Sequence, residues 1–133
     1  WETCSLREWL NTSFFNEAFD TSVQKMILET YVSADKNPVY DTDSGNATND
    51  KVFLLSIEEA YKYFPTNESR ICEQAESNTT CPWGLRSPGC SQKLASFVRY
   101  DGVISSYGYA NCNNFCYVRP AMWISLDFNW PYF

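Results

Sequence analysis

"CPWGLRSPGC", Cys81–Cys90, is the stretch on whose reading the fold turns. Two cysteines, two prolines and two glycines surround one tryptophan and one arginine. Neither strand alternation nor a helical period is present, so the stretch reads as a stiff loop. Such a loop suits a catalytic element, a metal knuckle or a structural staple. The chain contains no histidine, which excludes a Ser-His-Asp triad, a Cys-His dyad and every His-containing zinc site within it. No C-x-x-C pair exists to make a zinc knuckle. The staple remains, with Cys81 and Cys90 in one disulfide or as halves of two, contributing about 2–4 kcal/mol.

Outward from this loop, the cysteines Cys4, Cys72, Cys81, Cys90, Cys112 and Cys116 are all disulfide candidates, in any of about 15 pairings. A bridge from Cys112 to Cys116, closing Asn113-Asn114-Phe115, is expected among them. On the C-terminal side, Leu94 to Tyr100 alternates imperfectly, Asp101-Gly102 signals a two-residue hairpin, and Val103 to Ser106 returns as the partner strand. Tyr117 to Leu126 reads as the last strand, with Pro120 marking an edge or a bulge.

The N-terminal side is helical. Ser5-Leu-Arg-Glu8, Thr21-Ser-Val-Gln24 and Ser56-Ile-Glu-Glu59 all read as capping boxes. Leu6, Trp9, Leu10 and Phe14 give the first an apolar face, as Ile57, Ala60, Tyr61 and Phe64 give the third before Pro65 ends it. Leu28 to Val32 and Val52 to Leu55 have strand character, and residues 33–50 read as a solvated polar loop. "DTDSG" within it fails as an EF-hand, because the glycine comes one place early and Val52 stands where a bidentate Glu belongs. Helices first and short strands afterwards predict an α+β fold: two or three short helices flanking a small, mainly antiparallel sheet with long disulfide-stapled loops. A single domain over residues 1–133 is expected, as the C-terminal part of a longer protein.

Net charge is −6 with a pI near 4.5, and the ten Lys and Arg are scattered. Binding to nucleic acid or to anionic membrane wants a basic stripe, so neither is expected. No apolar run reaches the length of a membrane span. Sequons at Asn11, Asn46, Asn67 and Asn78, with an even cysteine count, predict an exported protein, extracellular or at the cell surface.

Four phrases in order, "LREWLNTSFFNEAF", "DKVFLLSIEEAYKYF", "WGLRSPG" and "VRPAMWISL", make the chain resemble a bacterial domain family of unknown function found in exported and surface proteins. That family is similar to the C-type-lectin fold and, more distantly, to formylglycine-generating enzymes. The resemblance implies a C-type-lectin-like domain, with Trp83, Arg86, Arg119 and Trp123 as scaffold residues. Gly84 stands where the family usually has a second tryptophan.

"SSYGYANCNNFCY", Ser105–Tyr117, carries the functional expectation. Tyr supplies rigid amphipathic area and Asn adaptable hydrogen bonds, the chemistry of recognition loops. Tyr107, Tyr109, Asn111, Asn113, Asn114 and Phe115 are the expected ligand-binding surface for a surface glycan or protein. Some lectin-fold relatives are diversified by adenine-directed mutation, and every residue from Ser105 to Tyr117 is reachable from an Asn codon that way. No catalytic residue, cofactor or resident metal is expected in this reading. Two alternatives stand beside it. One, implied by the resemblance, is a copper-dependent oxidase acting through Cys112 and Cys116. The other is a purely structural module of a surface protein.

Overall fold

The computed structural model describes residues 1–75, 77–109 and 116–127. Helix α1 (Ser5–Trp9) continues into a π-helical stretch, Leu10–Phe14, and then into α2 (Phe15–Ala18). A π turn widens the repeat from i+4 to i+5, and the two residues it buries are Leu10 and Phe15 rather than Leu10 and Phe14. The Ser5 box is not made, because Cys4 is the N-cap and no side chain caps α1. Helix α3 (Thr21–Met26) is capped one residue earlier than its box predicts: Asp20 Oδ1 accepts from the backbone of Ser22 and Val23, each at 2.9 Å. In α4 (Ile57–Tyr63) the Ser56–Glu59 box forms in both directions. A fourth box, Thr66–Ser69, opens α5 (Asn67–Arg70).

Among the described residues the strands are β1 (Ile27–Leu28), β2 (Thr30–Val32), β3 (Thr48–Asp50), β4 (Cys72–Glu73), β5 (Thr80–Cys81), β6 (Trp83–Pro88), β7 (Ala95–Val98), β8 (Ile104–Tyr109) and β9 (Trp123–Ile124), the first three lying between α3 and α4. They pair antiparallel as β1–β9, β2–β3, β4–β5 and a three-stranded β6-β7-β8. The β7–β8 hairpin turns at Asp101-Gly102, but with a longer loop than two residues. Gly102 N donates to Arg99 O at 2.9 Å and Arg99 N to Val103 O at 2.8 Å, and Gly102 takes φ +80°. This is a tight turn followed by a left-handed residue, which glycine adopts without strain.

The core lies between the helices and the three-stranded sheet, in two clusters divided by the extended segment Val52–Leu55. Side chains alternate across an extended chain. Val52 and Leu54 therefore join Leu10, Phe15 and Ile27, while Phe53 and Leu55 join Val32, Ile57, Trp83, Leu85 and Val98. Buried between two clusters, this segment must find partners for its backbone. Asn11 supplies some: its Nδ2 donates to Val52 O at 2.8 Å, and its Oδ1 accepts from Lys51 N and Val52 N. Phe53 exchanges both backbone bonds with Ala121, and Arg86 N donates to Leu55 O.

Two expectations are corrected here. In place of one lectin-like sheet there is an α+β fold with short helices and small antiparallel sheets, most of them pairs of two- or three-residue strands. The strand expected over Tyr117–Leu126 is cut down to β9 and single bridges at Tyr117 and Ala121. The loops are not disulfide-stapled: among the described residues no disulfide is formed, and Cys4, Cys72, Cys81 and Cys90 stand as thiols. For Cys81 and Cys90 the reason is geometric. "WGLRSP" is strand β6, not loop. Six extended residues span about 20 Å, whereas a disulfide needs Cα atoms about 4.4–6.8 Å apart. The expected Cys112–Cys116 bridge involves Cys112, which lies outside the described residues. No helix among them is long and apolar enough to cross a membrane.

Candidate functional site

The interior of the "WGLRSPG" strand holds two knots of side chains. Arg86, whose side chain is 2% exposed, reaches from β6 toward α4. Its Nη1 donates to Leu54 O at 2.9 Å and to Glu59 Oε2, its Nη2 to Glu59 Oε1 at 3.1 Å, and its Nε to Ser33 O at 3.2 Å. Asp35 adds a second carboxylate at 3.5 Å. A planar fork is the cation suited to holding a carboxylate with two bonds while feeding buried carbonyls. Arg86 thus ties the cap of α4, the dividing segment and the 33–35 turn to β6.

Trp83 is fully buried and donates from Nε1 to Arg70 O at 2.9 Å. Arg119 lies against it, its guanidinium carbon 4.8 Å from the Trp83 ring and 4.4 Å from that of Phe64. Trp123 is half exposed and meets Tyr63 edge-on at 6.3 Å between centroids. Both rings line a groove of about 460 Å³ floored by Phe53, Leu55 and Met122.

A larger cleft, about 810 Å³, is lined by β6 itself. One wall is the N-terminal segment from Trp1 to Leu6 and the other runs from Gln92 to Ala95, with the Gly84–Pro88 backbone as floor. The N-terminal wall is pinned by the buried Asp50, which accepts from Trp1 Nε1 at 2.9 Å, Arg7 Nε at 2.8 Å and Thr48 Oγ1 at 2.6 Å. Tyr109, Cys116 and Tyr117 stand at its rim. Tyr109 ends β8, whereas Tyr117 N donates to Pro82 O and Gly84 N to Tyr117 O, which fastens Tyr117 alongside β6. β6 and β8 are opposite edges of the three-stranded sheet. The residues flanking 110–115 are therefore held on its two edges, and both flanks face the cleft.

Of the expected binding residues, Tyr107 and Tyr109 are both exposed on β8, with the buried Gly108 between them, and Tyr109 lines the cleft. Gly108 has φ +82°, and a Cβ there would meet Gly89 Cα at 2.9 Å, so this close passage of two chains admits only glycine. Asn111, Asn113, Asn114 and Phe115 lie outside the described residues, as does Cys112. The structure adds Tyr40, whose ring meets Tyr107 edge-on at 6.0 Å. Tyr40 belongs to the 33–50 stretch read as a plain solvated loop. Asn37 fixes it: buried, it donates to Pro88 O and Ser106 O and accepts from Val39 N and Tyr40 N. The Asn37-Pro38 pair, a turn-initiating dipeptide, was the signal for this Asx turn.

The fold and cleft define a small α+β domain with a tyrosine-rimmed depression at one sheet end. A family model described as "Domain of unknown function (DUF6273)" matches residues 1–126, and the chain belongs to that family. No curated protein matches the chain. No solved structure does either.

Proposed function

We propose that this is an exported, non-enzymatic recognition domain that binds a surface glycan at the cleft between the N-terminal segment and β6. The observation that carries this is the placement of Tyr109 and Tyr117, which flank residues 110–115 within the tyrosine- and asparagine-rich stretch, in the lining of one cleft. Its volume lies in the range of small-ligand sites, about 300–1,000 Å³. Aromatic rings offer faces to the C–H side of a pyranose, and the hydroxyl of Ser5 and the amide of Gln92 in the lining offer partners to its hydroxyls. The Tyr40–Tyr107 pair extends the aromatic surface beyond the rim.

The test is a printed array of microbial and mammalian oligosaccharides, followed by calorimetric titration with the best-retained one. Tyr109→Ala is expected to weaken that binding by about tenfold or more, as loss of a central aromatic contact does, with an unchanged melting temperature. An array without a retained oligosaccharide, or a folded Tyr109→Ala with wild-type affinity, overturns the reading. Retention of a surface protein instead of any glycan also overturns it.

A further inference from the structure

We propose that Cys72, Cys81 and Arg119 form a binding site for a soft monovalent cation with a filled d shell, Cu(I) or Ag(I), held between the two sulfurs with the guanidinium as charge partner. The two cysteines are direct partners across the β4–β5 ladder. Directly opposed residues of an antiparallel pair carry Cβ atoms about 4.5–5.5 Å apart. Two sulfurs on such carbons can share one ion at bonds of about 2.3 Å, the length of a zinc–thiolate bond. Cys81 is buried and Cys72 half-buried, so the ion enters past Cys72.

The second observation is independent of the first. Arg119 Nη1 is buried and has no hydrogen-bond partner, alone among the buried side-chain nitrogens and oxygens of the described residues. A guanidinium keeps its charge under all ordinary conditions. A buried donor without an acceptor is costly, and where one persists it marks a missing partner or ion. Arg119 lies 4.8 Å from the ring of Trp83, two residues along the chain from Cys81, and Cys72 packs against the same cluster. What Arg119 Nη1 lacks is an anionic acceptor.

Binding supplies that anion. Two S–H bonds break, their protons leave to solvent, and two metal–sulfur bonds form. A monovalent cation with two thiolates carries one negative charge, which the Arg119 cation cancels where dielectric screening is weak. Among the described residues no group of three or more Cys, Asp or Glu gathers around an ion, so a tetrahedral divalent metal lacks its ligand set there. Thiolates select soft ions such as Cu(I). This site lies outside the ligand cleft and does not depend on the glycan reading.

The experiment uses the reduced full chain under anaerobic conditions, with Cu(I) titrated against bicinchoninate and Ag(I) followed by native mass spectrometry and thermal melting. The wild type is expected to take a single tight equivalent and to melt higher with it. Cys72→Ser and Cys81→Ser are expected to lose that equivalent, while a Cys4→Ser/Cys90→Ser double variant keeps it. Arg119→Gln is expected to weaken affinity by about 10–100-fold, the usual effect of removing a group that supports metal ligands, and Arg119→Lys to recover part of it. An unchanged tight equivalent in either Cys72→Ser or Cys81→Ser overturns the proposal, as does wild-type affinity in a folded Arg119→Gln. Should Arg119→Gln not fold, the melting shift decides: a rise with Ag(I) in Cys81→Ser equal to that of the wild type overturns it.

Discussion

Replacing Arg86 by methionine removes the fork that ties β6 to α4 and leaves Glu59 and the Leu54 and Ser33 carbonyls without their donor. Methionine fills most of the same volume, so the loss is electrostatic rather than a cavity. Breaking a buried ion pair by removing one partner costs about 3–5 kcal/mol. The lower end applies here, because the Glu59 side chain is 26% exposed and keeps its bond from Ser56 N at 3.0 Å. We expect about 3 kcal/mol, a large share of the stability of a domain this size. With an unfolding entropy of about 2.1 cal/mol/K per residue, 133 residues give about 0.28 kcal/mol/K. The melting temperature should then fall by about 11 °C. Glu59→Gln should cost a comparable amount, about 3 kcal/mol, since it leaves the almost fully buried Arg86 cation with Asp35 at 3.5 Å as its counter-charge. Urea melts of wild type, both single variants and the double variant give the coupling directly. A double variant no worse than Arg86→Met alone would confirm that the two side chains act together. Additivity within about 0.5 kcal/mol, or an Arg86→Met cost below about 1 kcal/mol, would refute the reasoning.

Two further outcomes follow from single groups. Gly102→Ala places a side chain at φ +80° and drives its Cβ into the backbone carbonyl of Asn67; it should destabilise by about 2 kcal/mol or more in a chemical melt, and a loss under about 0.5 kcal/mol would contradict the turn geometry. Cys81, raised by burial first and by Cys72 second, stays protonated in the folded chain beyond the pH at which the unfolded thiol ionises. Its contribution is therefore full below the unfolded pKa of about 8.5 and is lost as pH rises through the folded value. The stability gap between wild type and Cys81→Ala, from urea melts at neutral and at alkaline pH, should narrow as pH rises; parallel curves would speak against a buried thiol.

Features set by neighbours in the chain were legible. The Ser56–Glu59 box needs only four consecutive residues, and it forms. The Asp101-Gly102 turn needs a left-handed residue after a strand, and Gly102 supplies it. Caps that compete locally were misplaced by a residue: Asp20 outbids Thr21 because a carboxylate accepts two backbone N–H groups at once. The π stretch was invisible to a period search, since Leu10, Phe14 and Phe15 fit either repeat until the core selects one. Of the residues singled out from composition, Tyr109 lines the cleft; the Tyr40–Tyr107 contact was not legible, because the place of Tyr40 depends on Asn37 bridging to carbonyls 51 and 69 residues away.

By itself the sequence determined the class: a mixture of short helices and short strands, in a chain without histidine and with scattered basic charge. Those properties are local or compositional, and no distant contact can revise them. Only the tertiary structure decided that "WGLRSP" is a strand. Its residues carry no alternation, because β6 buries Trp83 and Leu85 in the cluster with Ile57 and the intervening charged Arg86 against Leu54 O and Glu59. A strand covered on both faces loses its period-2 signal. Extension of that strand then set Cys81 and Cys90 apart, with Cys81 opposite Cys72 on β4, and gave the large cleft part of its lining.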